Sequence, residues 1–305
     1  MIPRSVQALI GELAEDNTSG AVEIATRAAE ALVLFAAEAN AQDASSFLWQ
    51  LVSTGKALIQ AQPSMAPLFN LVNSVLVSVQ GARDVDSARR AASTTARDFG
   101  AELHTRSERI SQQALPLLAS GSGVLTHSRS STVMAGLQLA AAHGRQLEVK
   151  CTESRPIYEG RAVAAKLAEE GIKTTLITDS AVAHFMSQVD LVMVGADSVS
   201  TEGVVNKIGT FPIALAARAQ GVPFYALCGT EKFLPPDYPH FRIDSQDPQE
   251  VWPGHPEGVE VLNLYFDVTP LDYVSGMVTE RGILAGGELD EILEQLKMHE
   301  MLLDH

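Results

Sequence analysis

The feature that most constrains this fold is a change of period after Gly121-Ser122-Gly123. From there on, short apolar runs alternate with helical ones: Val124-Leu125-Thr126, Leu147 to Cys151, Thr174 to Ile177, Leu191 to Val194 and Phe224 to Leu227. Such punctuation is that of βαβ units, whose strands form a parallel sheet covered by helices on both faces. The covering helices are expected at Ser131 to Ala142, Glu159 to Glu170, Ser180 to Ser187 and Lys207 to Gln220. Further strands are expected at Val259 to Leu264 and Val274 to Val278, before a closing helix from Glu288 to Leu302.

Residues 20 to 118 carry a different signal. Val22, Ile24, Ala25, Ala28, Leu32, Phe35 and Ala36 recur at helical spacing, after a cap in Asp16-Asn17-Thr18-Ser19-Gly20. Asp43 to Gln60, Pro67 to Val79 and Val85 to Ala119 complete about four helices. The expected class is therefore α/β: a helical N-terminal domain over residues 1–120 and a Rossmann-like parallel-sheet domain over residues 121–305. A chain of 305 residues exceeds a single core, which agrees with two units. The Pro-, Asp- and His-rich stretch from Leu234 to Gly258 reads as a surface excursion.

Charge and cysteine content narrow the function classes. The 37 acidic residues outnumber the 22 basic ones, for a net charge of -15, and no basic run occurs, so a nucleic-acid surface is not expected. Cys151 and Cys228 form no CxxC pair and have no neighbouring histidines, so neither a metal site nor a disulfide framework is expected, nor any cofactor. No apolar run approaches the ~18 residues of a membrane span, and the first residues contain no continuous apolar stretch, so a cytoplasmic protein is expected.

In an open parallel sheet, ligands bind beyond the carboxyl ends of the strands, so the polar loops there are the candidates. Thr126-His127-Ser128-Arg129-Ser130-Ser131-Thr132 follows the first strand where a helix begins, and its hydroxyls and Arg129 suit an anion held on a helix N-terminus. N-capping explains one or two of those hydroxyls but not all of them. After the second strand, Thr152-Glu153-Ser154-Arg155-Pro156 offers Arg155 either to a ligand or to a structural ion pair with an acid such as Glu153. After the fourth strand, Asp197 stands in Gly195-Ala196-Asp197-Ser198, where a partly desolvated carboxylate suits proton transfer, although Asp is also a common turn former. Asn206-Lys207-Ile208-Gly209-Thr210 reads as the opening of a helix, where Lys207 is unfavourable unless an anion shares the site.

Read in order, Thr126-His127, Thr152 to Pro156, Gly195-Ala196-Asp197, Asn206 to Thr210, Phe266-Asp267-Val268-Thr269-Pro270 and Thr279-Glu280-Arg281-Gly282 resemble the signature segments of one superfamily. It comprises the alpha, beta and delta regulatory subunits of translation initiation factor 2B together with ribose-1,5-bisphosphate isomerase and methylthioribose-1-phosphate isomerase. Six motifs in order make a specific signal. The resemblance implies a ligand cleft between a helical and a Rossmann-like domain, and homodimers or larger homo-oligomers. It also implies a catalytic pair, a Cys in the first loop and an Asp in the fourth; here these positions hold Ser128 and Asp197. Ligand contacts carry over to His127, Arg129, Ser130, Ser131, Arg155, Asn206, Lys207 and Gly20.

Three departures matter. Ser128 replaces the thiol, and an alkanol hydroxyl is far too weak an acid without a dedicated base. The isomerases' Arg-Gly and Arg-Pro pairs read Ser19-Gly20 and Gln62-Pro63 here, so both arginines are missing. The segment Ser128 to Val133 is more similar to the regulatory subunits, and Cys228 to Phe233 departs from both groups. The expected function is binding of a phosphorylated small molecule, a sugar phosphate or nucleotide, without Cys-dependent catalysis; an aldose-ketose phosphosugar isomerase is the alternative.

Overall fold

The computed structural model describes all residues except Asn17, Asp237, residues 239–242 and residues 304–305. Five helices come first: α1 (Arg4–Glu15), α2 (Ala21–Glu38), α3 (Ala44–Ala61), α4 (Ala66–Val79) and α5 (Val85–Ala114). The first was not expected from the sequence; Val6 and Leu13 are its buried residues. Elsewhere the physical cues act where expected. Asp43 accepts from the Ser46 backbone N–H at 2.7 Å while the Ser46 hydroxyl accepts from the Asp43 N–H, a reciprocal cap on α3. Pro67 opens α4, where its missing N–H has no intrahelical partner to lose. The Arg89 guanidinium donates to the Ala36 carbonyl at 2.6 Å, placing a cation at the carboxyl end of α2. Phe35, Phe47, Leu51, Phe69 and Val75 are among the fully buried residues of the helical core.

The later chain forms a seven-stranded sheet in the order β10-β9-β7-β4-β1-β2-β3. Its strands are β1 (Gly123–Thr126), β2 (Glu148–Thr152), β3 (Lys173–Ile177), β4 (Leu191–Val194), β7 (Phe224–Leu227), β9 (Gly276–Thr279) and β10 (Gly282–Leu284). All neighbours run parallel except β10 on β9. The five strands expected up to residue 227 all form. Strand β1 lies between β2 and β4, so the chain winds one way from β1 through β3 and then crosses to the other side. That reversal opens a crevice at the carboxyl ends of β1 and β4, where doubly wound sheets bind ligands. The connecting helices are α6 (Ser131–Ala142), α7 (Glu159–Glu169), α8 (Val182–Phe185) and α9 (Thr210–Gln220), and α10 (Gly287–Gln295) follows the sheet.

A second, antiparallel sheet of β5 (Ser198–Ser200), β6 (Gly203–Lys207) and β8 (Phe266–Thr269) was not foreseen. It corrects one expectation directly: Asn206 and Lys207 end β6 and pair with Asp267 and Phe266, and the helix begins at Thr210. Lys207 therefore does not oppose a helix dipole from inside a first turn. Residues 259–264 do not form a named strand; Leu264 makes a single bridge to Ser245, and Leu262, 70% exposed, has no sheet face to cover it. The closing helix stops at Gln295, and Asn73 then takes the Lys297 carbonyl and the His299 N–H at 3.1 and 2.7 Å, tertiary bonds that local helical spacing does not reveal.

By contact, the chain divides into two compact units: Met1–Arg106 with Glu231–Phe241 and Leu293–His305, and Ser107–Thr230 with Arg242–Ile292. The sheet and the loops after β1, β2 and β4 belong to the second.

Candidate functional site

The loop after β1 and the end of β6 meet on a carboxylate. The Ser128 hydroxyl donates to Glu159 Oε1 at 2.6 Å, and Lys207 Nζ stands 3.2 Å from the same oxygen. The two charged side chains are 13% and 7% exposed, so this is a buried ion pair with a serine attached. Lys207 also lies 4.3 Å from the centre of the Tyr265 ring, whose face favours a cation. The Tyr265 hydroxyl donates to Glu250 at 2.6 Å, and burial first, then Glu250, pushes its ionisation up. Glu159 Oε2 is enclosed and has no hydrogen-bond partner.

Around Glu159 the backbone is strained. Ser128 (φ 65), Ser154 (φ 59) and Tyr158 (φ 61) are the non-glycine residues with left-handed backbone among the described residues, and all three converge here. Each such conformation costs about 1–3 kcal/mol and persists only where surrounding bonds enforce it. Those bonds are present. Asp179 accepts from the Ser154 and Arg155 N–H groups at 2.8 and 2.7 Å, and the Ser154 carbonyl accepts from the Tyr158 N–H at 2.9 Å. Tyr158 caps α7 and so aims Glu159, the helix's first residue, into the cluster.

His127 is fixed rather than exposed to a ligand. Its Nε2 lies 2.9 Å from the Ile208 carbonyl, which can only accept, so Nε2 carries the proton and Nδ1 accepts from the Thr152 hydroxyl at 2.6 Å. The direction then propagates: the Ser154 hydroxyl donates to Thr152 at 3.0 Å and accepts from the Ser128 N–H at 2.9 Å. Burial pushes the imidazole below its ordinary value, opposed by the Ile208 hydrogen bond and by Asp179 and Glu159. A neutral histidine thus ties the β1 loop to the residues after β6.

The remaining candidates fall into three groups. Ser130 caps α6 through the Val133 N–H at 3.3 Å and packs on Gly195, where a β-carbon would stand 2.7 Å from Ser130 Cβ and 3.8 Å from Asn206 Oδ1. That contact brings the β1, β4 and β6 ends together. Asn206 is buried and donates to Thr210 Oγ1 at 3.0 Å. Asp197, half-buried at the β4 end, donates its backbone N–H to the Val205 carbonyl at 2.8 Å. Arg129 and Ser131 are exposed on the same turn. Arg155 is engaged locally: its guanidinium donates to Tyr158 Oη and, at 2.7 Å, to the Val251 carbonyl, while Glu153 pairs instead with Arg161 at 2.9 Å. Gly20 belongs to the first unit, as the N-cap of α2. In that unit Gln62, where the resemblance leads one to expect an arginine in the isomerases, donates to the Leu13 and Asp16 carbonyls at 2.8 and 3.0 Å, a structural use.

Sequence reasoning missed Glu159 and Tyr265, and named Asp267 only inside a signature segment, without a role. An acid at the first position of a helix reads as a dipole complement, which hid Glu159. Asp267 Oδ2 accepts from the Gly209 and Phe211 N–H groups at 2.9 and 3.1 Å, so the first amides of α9 already hold an internal anion. Burial pushes this carboxyl up to about 6, against the pull of those amides, and its Oδ1 has no partner. Burial also pushes the Cys151 thiol up to about 12, which leaves it unsuited to thiolate chemistry. Among the described residues no group of three or more His, Cys, Asp or Glu side chains could hold a metal, and no helix is long and apolar enough to cross a membrane.

Comparison with known proteins agrees with this architecture. The chain is 36% identical over 270 residues to the ribose 1,5-bisphosphate isomerase of Archaeoglobus fulgidus, covering 87% of this chain and 85% of that one. The solved translation initiation factor eIF-2B of Pyrococcus horikoshii superposes with a TM-score of 0.82 at 30% identity, covering 94% of this chain and 98% of that one. The tetrameric eIF2B-beta2-delta2 complex of C. thermophilum gives 0.77 at 25% identity, with 95% and 93% covered. A sequence model of the Initiation factor 2 subunit family matches residues 17–286, and the chain belongs to that family.

Proposed function

We propose that this chain binds a phosphorylated small molecule, a sugar phosphate or nucleotide, at the carboxyl ends of β1, β4 and β6, without thiol-dependent isomerisation. The observation that carries this reading is the convergence of Ser128 and Lys207, from separate segments, on one buried carboxylate. Donors from the β1 loop and the cation at the end of β6 meet at Glu159, which supports a shared oxyanion site. The first turn of α6 adds N–H groups that favour an anion. Against thiol chemistry stands the residue itself: position 128 carries a hydroxyl where the resemblance implies the isomerases' thiol. A homodimer or larger homo-oligomer is part of the proposal, in keeping with the tetrameric eIF2B complex that resembles this chain; its solution mass from light scattering tests it.

The test is a thermal-shift series with ribose 1,5-bisphosphate, methylthioribose 1-phosphate, nucleoside monophosphates and inorganic phosphate. A selective ligand at 100 times its dissociation constant stabilises the folded state by about 2.7 kcal/mol. A flat response across the series sinks the reading.

The alternative, an aldose-ketose phosphosugar isomerase, is favoured by the name of the Archaeoglobus fulgidus relative and by the presence of Asp197, Asn206 and Lys207. The Ser128→Cys variant separates the two. For a binder, turnover of ribose 1,5-bisphosphate stays at background, because one thiol does not replace two arginines each worth about 1.5–3 kcal/mol. Turnover in Ser128→Cys that disappears when Asp197→Asn is added would favour the isomerase.

A further inference from the structure

Ser128 has the geometry of a nucleophile. It sits between the end of β1 at Thr126 and the start of α6 at Ser131, in left-handed backbone with φ 65. A strained serine at a strand-to-helix turn is the device by which a hydroxyl is held out at the carboxyl edge of an α/β sheet. Its hydroxyl proton already points at a carboxylate oxygen 2.6 Å away, a short charge-assisted bond. That carboxylate is in turn held by a third group, Lys207, at 3.2 Å. Nucleophile, base and orienting group in sequence are the structural signature of an activated serine. Glu159 Oε2 is unpartnered, so the carboxylate keeps one oxygen without a hydrogen bond while Oε1 faces both Ser128 and Lys207.

We propose that Ser128 is a nucleophile, with Glu159 as its base, that accepts the phosphoryl group of a phosphorylated small molecule. The choice of a phosphoryl group rests on the ligand class inferred above; the activation of Ser128 rests on geometry alone. In the first step Ser128 Oγ attacks phosphorus, the Oγ–P bond forms and the bond from phosphorus to the ligand oxygen breaks. The hydroxyl proton passes to Glu159, which then gives it to the leaving oxygen. In the second step water attacks phosphorus, its proton goes to Glu159, and the Oγ–P bond breaks as Ser128 recovers that proton and inorganic phosphate leaves. No electrons change hands, and no co-reactant besides water is needed. The Lys207 ammonium, 3.2 Å from the carboxylate oxygen to which Ser128 donates, offers a cation beside the transferring group.

The experiment uses the full chain and p-nitrophenyl phosphate as probe, with acid quench and peptide mass mapping. Wild type is expected to gain one phosphoryl group on the peptide carrying Ser128, and Ser128→Ala none. Glu159→Gln is expected to slow the transfer by about 100-fold, the lower range for loss of a general base. If Glu159→Gln melts too low to assay, Glu159→Asp, which keeps the carboxylate, is expected to retain partial transfer. An unmodified Ser128 in wild type that still shows ligand-induced thermal shifts overturns this inference and leaves the binding reading intact. Phosphorylated Ser128 with a flat ligand series does the reverse. Transfer to Ser128 at the wild-type rate in Glu159→Gln removes Glu159 as the base and also overturns the proposal.

Discussion

Lys207 and Glu159 decide the behaviour of the cluster because both are buried. Removing one partner of such a pair leaves an uncompensated charge and costs about 3–5 kcal/mol, whereas removing both can be nearly neutral. Lys207→Met is therefore expected to lower stability by that order, and Glu159→Gln combined with Lys207→Met to restore much of it. Urea unfolding of both single variants and the double variant gives the coupling; strict additivity would mean the pair is not coupled. Asp267 makes a second prediction. Its carboxyl is raised to about 6 from an ordinary 3.8, so the fold disfavours its ionised form. Its contribution is fully present below the unfolded value near 4 and is lost as pH rises through about 6. The stability of Asp267→Asn relative to wild type is expected to improve by about 1–3 kcal/mol between pH 4 and pH 7.5, the free-energy equivalent of that rise discounted for partial exposure. His127, whose value is lowered, works in the opposite sense, losing stability as pH falls below about 6.5. Comparing variant with wild type at each pH separates the two. A pH-independent difference would assign Asp267 to capping alone.

At the scale of elements, packing of α7 against β2 sets the site. A β-carbon on Gly160 would stand 1.9 Å from the Thr152 carbonyl oxygen, so the first turn of α7 can approach β2 only with glycine there. Gly160→Ala is expected to push α7 away, to cost about 1–3 kcal/mol as overpacking does, and to break the Ser128–Glu159 bond. A melting temperature equal to wild type would show the helix seated without that contact. The parallel strands and α6 were legible because apolar runs and caps are local signals; Ser131–Ala142 is where spacing places it. The β5-β6-β8 sheet was not legible. Its middle strand, Gly203–Lys207, forms a tight hairpin with β5 but draws its other neighbour, β8, from about sixty residues downstream, and no period within five residues encodes a partner that far away. The site divides in the same way. Ser128 was identifiable as a polar residue after a strand, Asn206 and Lys207 were singled out as the opening of a helix although they end β6, and Glu159 belonged to a helix start that looked ordinary.

For the molecule as a whole, sequence period and order determined the class. Helical spacing before residue 120 and strand punctuation after it leave little besides an α/β arrangement, and six ordered motifs point to one family. Composition gave only an expectation about partners, since 37 acids against 22 bases and no basic run do not suggest a nucleic-acid surface. Tertiary structure alone decided how those groups are used. It turned Lys207 into the partner of a buried Glu159, gave both nitrogens of His127 to Thr152 and Ile208, and filled the N-terminus of α9 with Asp267. The reason is that propensity and period are properties of neighbours in the chain. The state of a charge or a proton depends instead on which distant groups enclose it and on how much water they exclude.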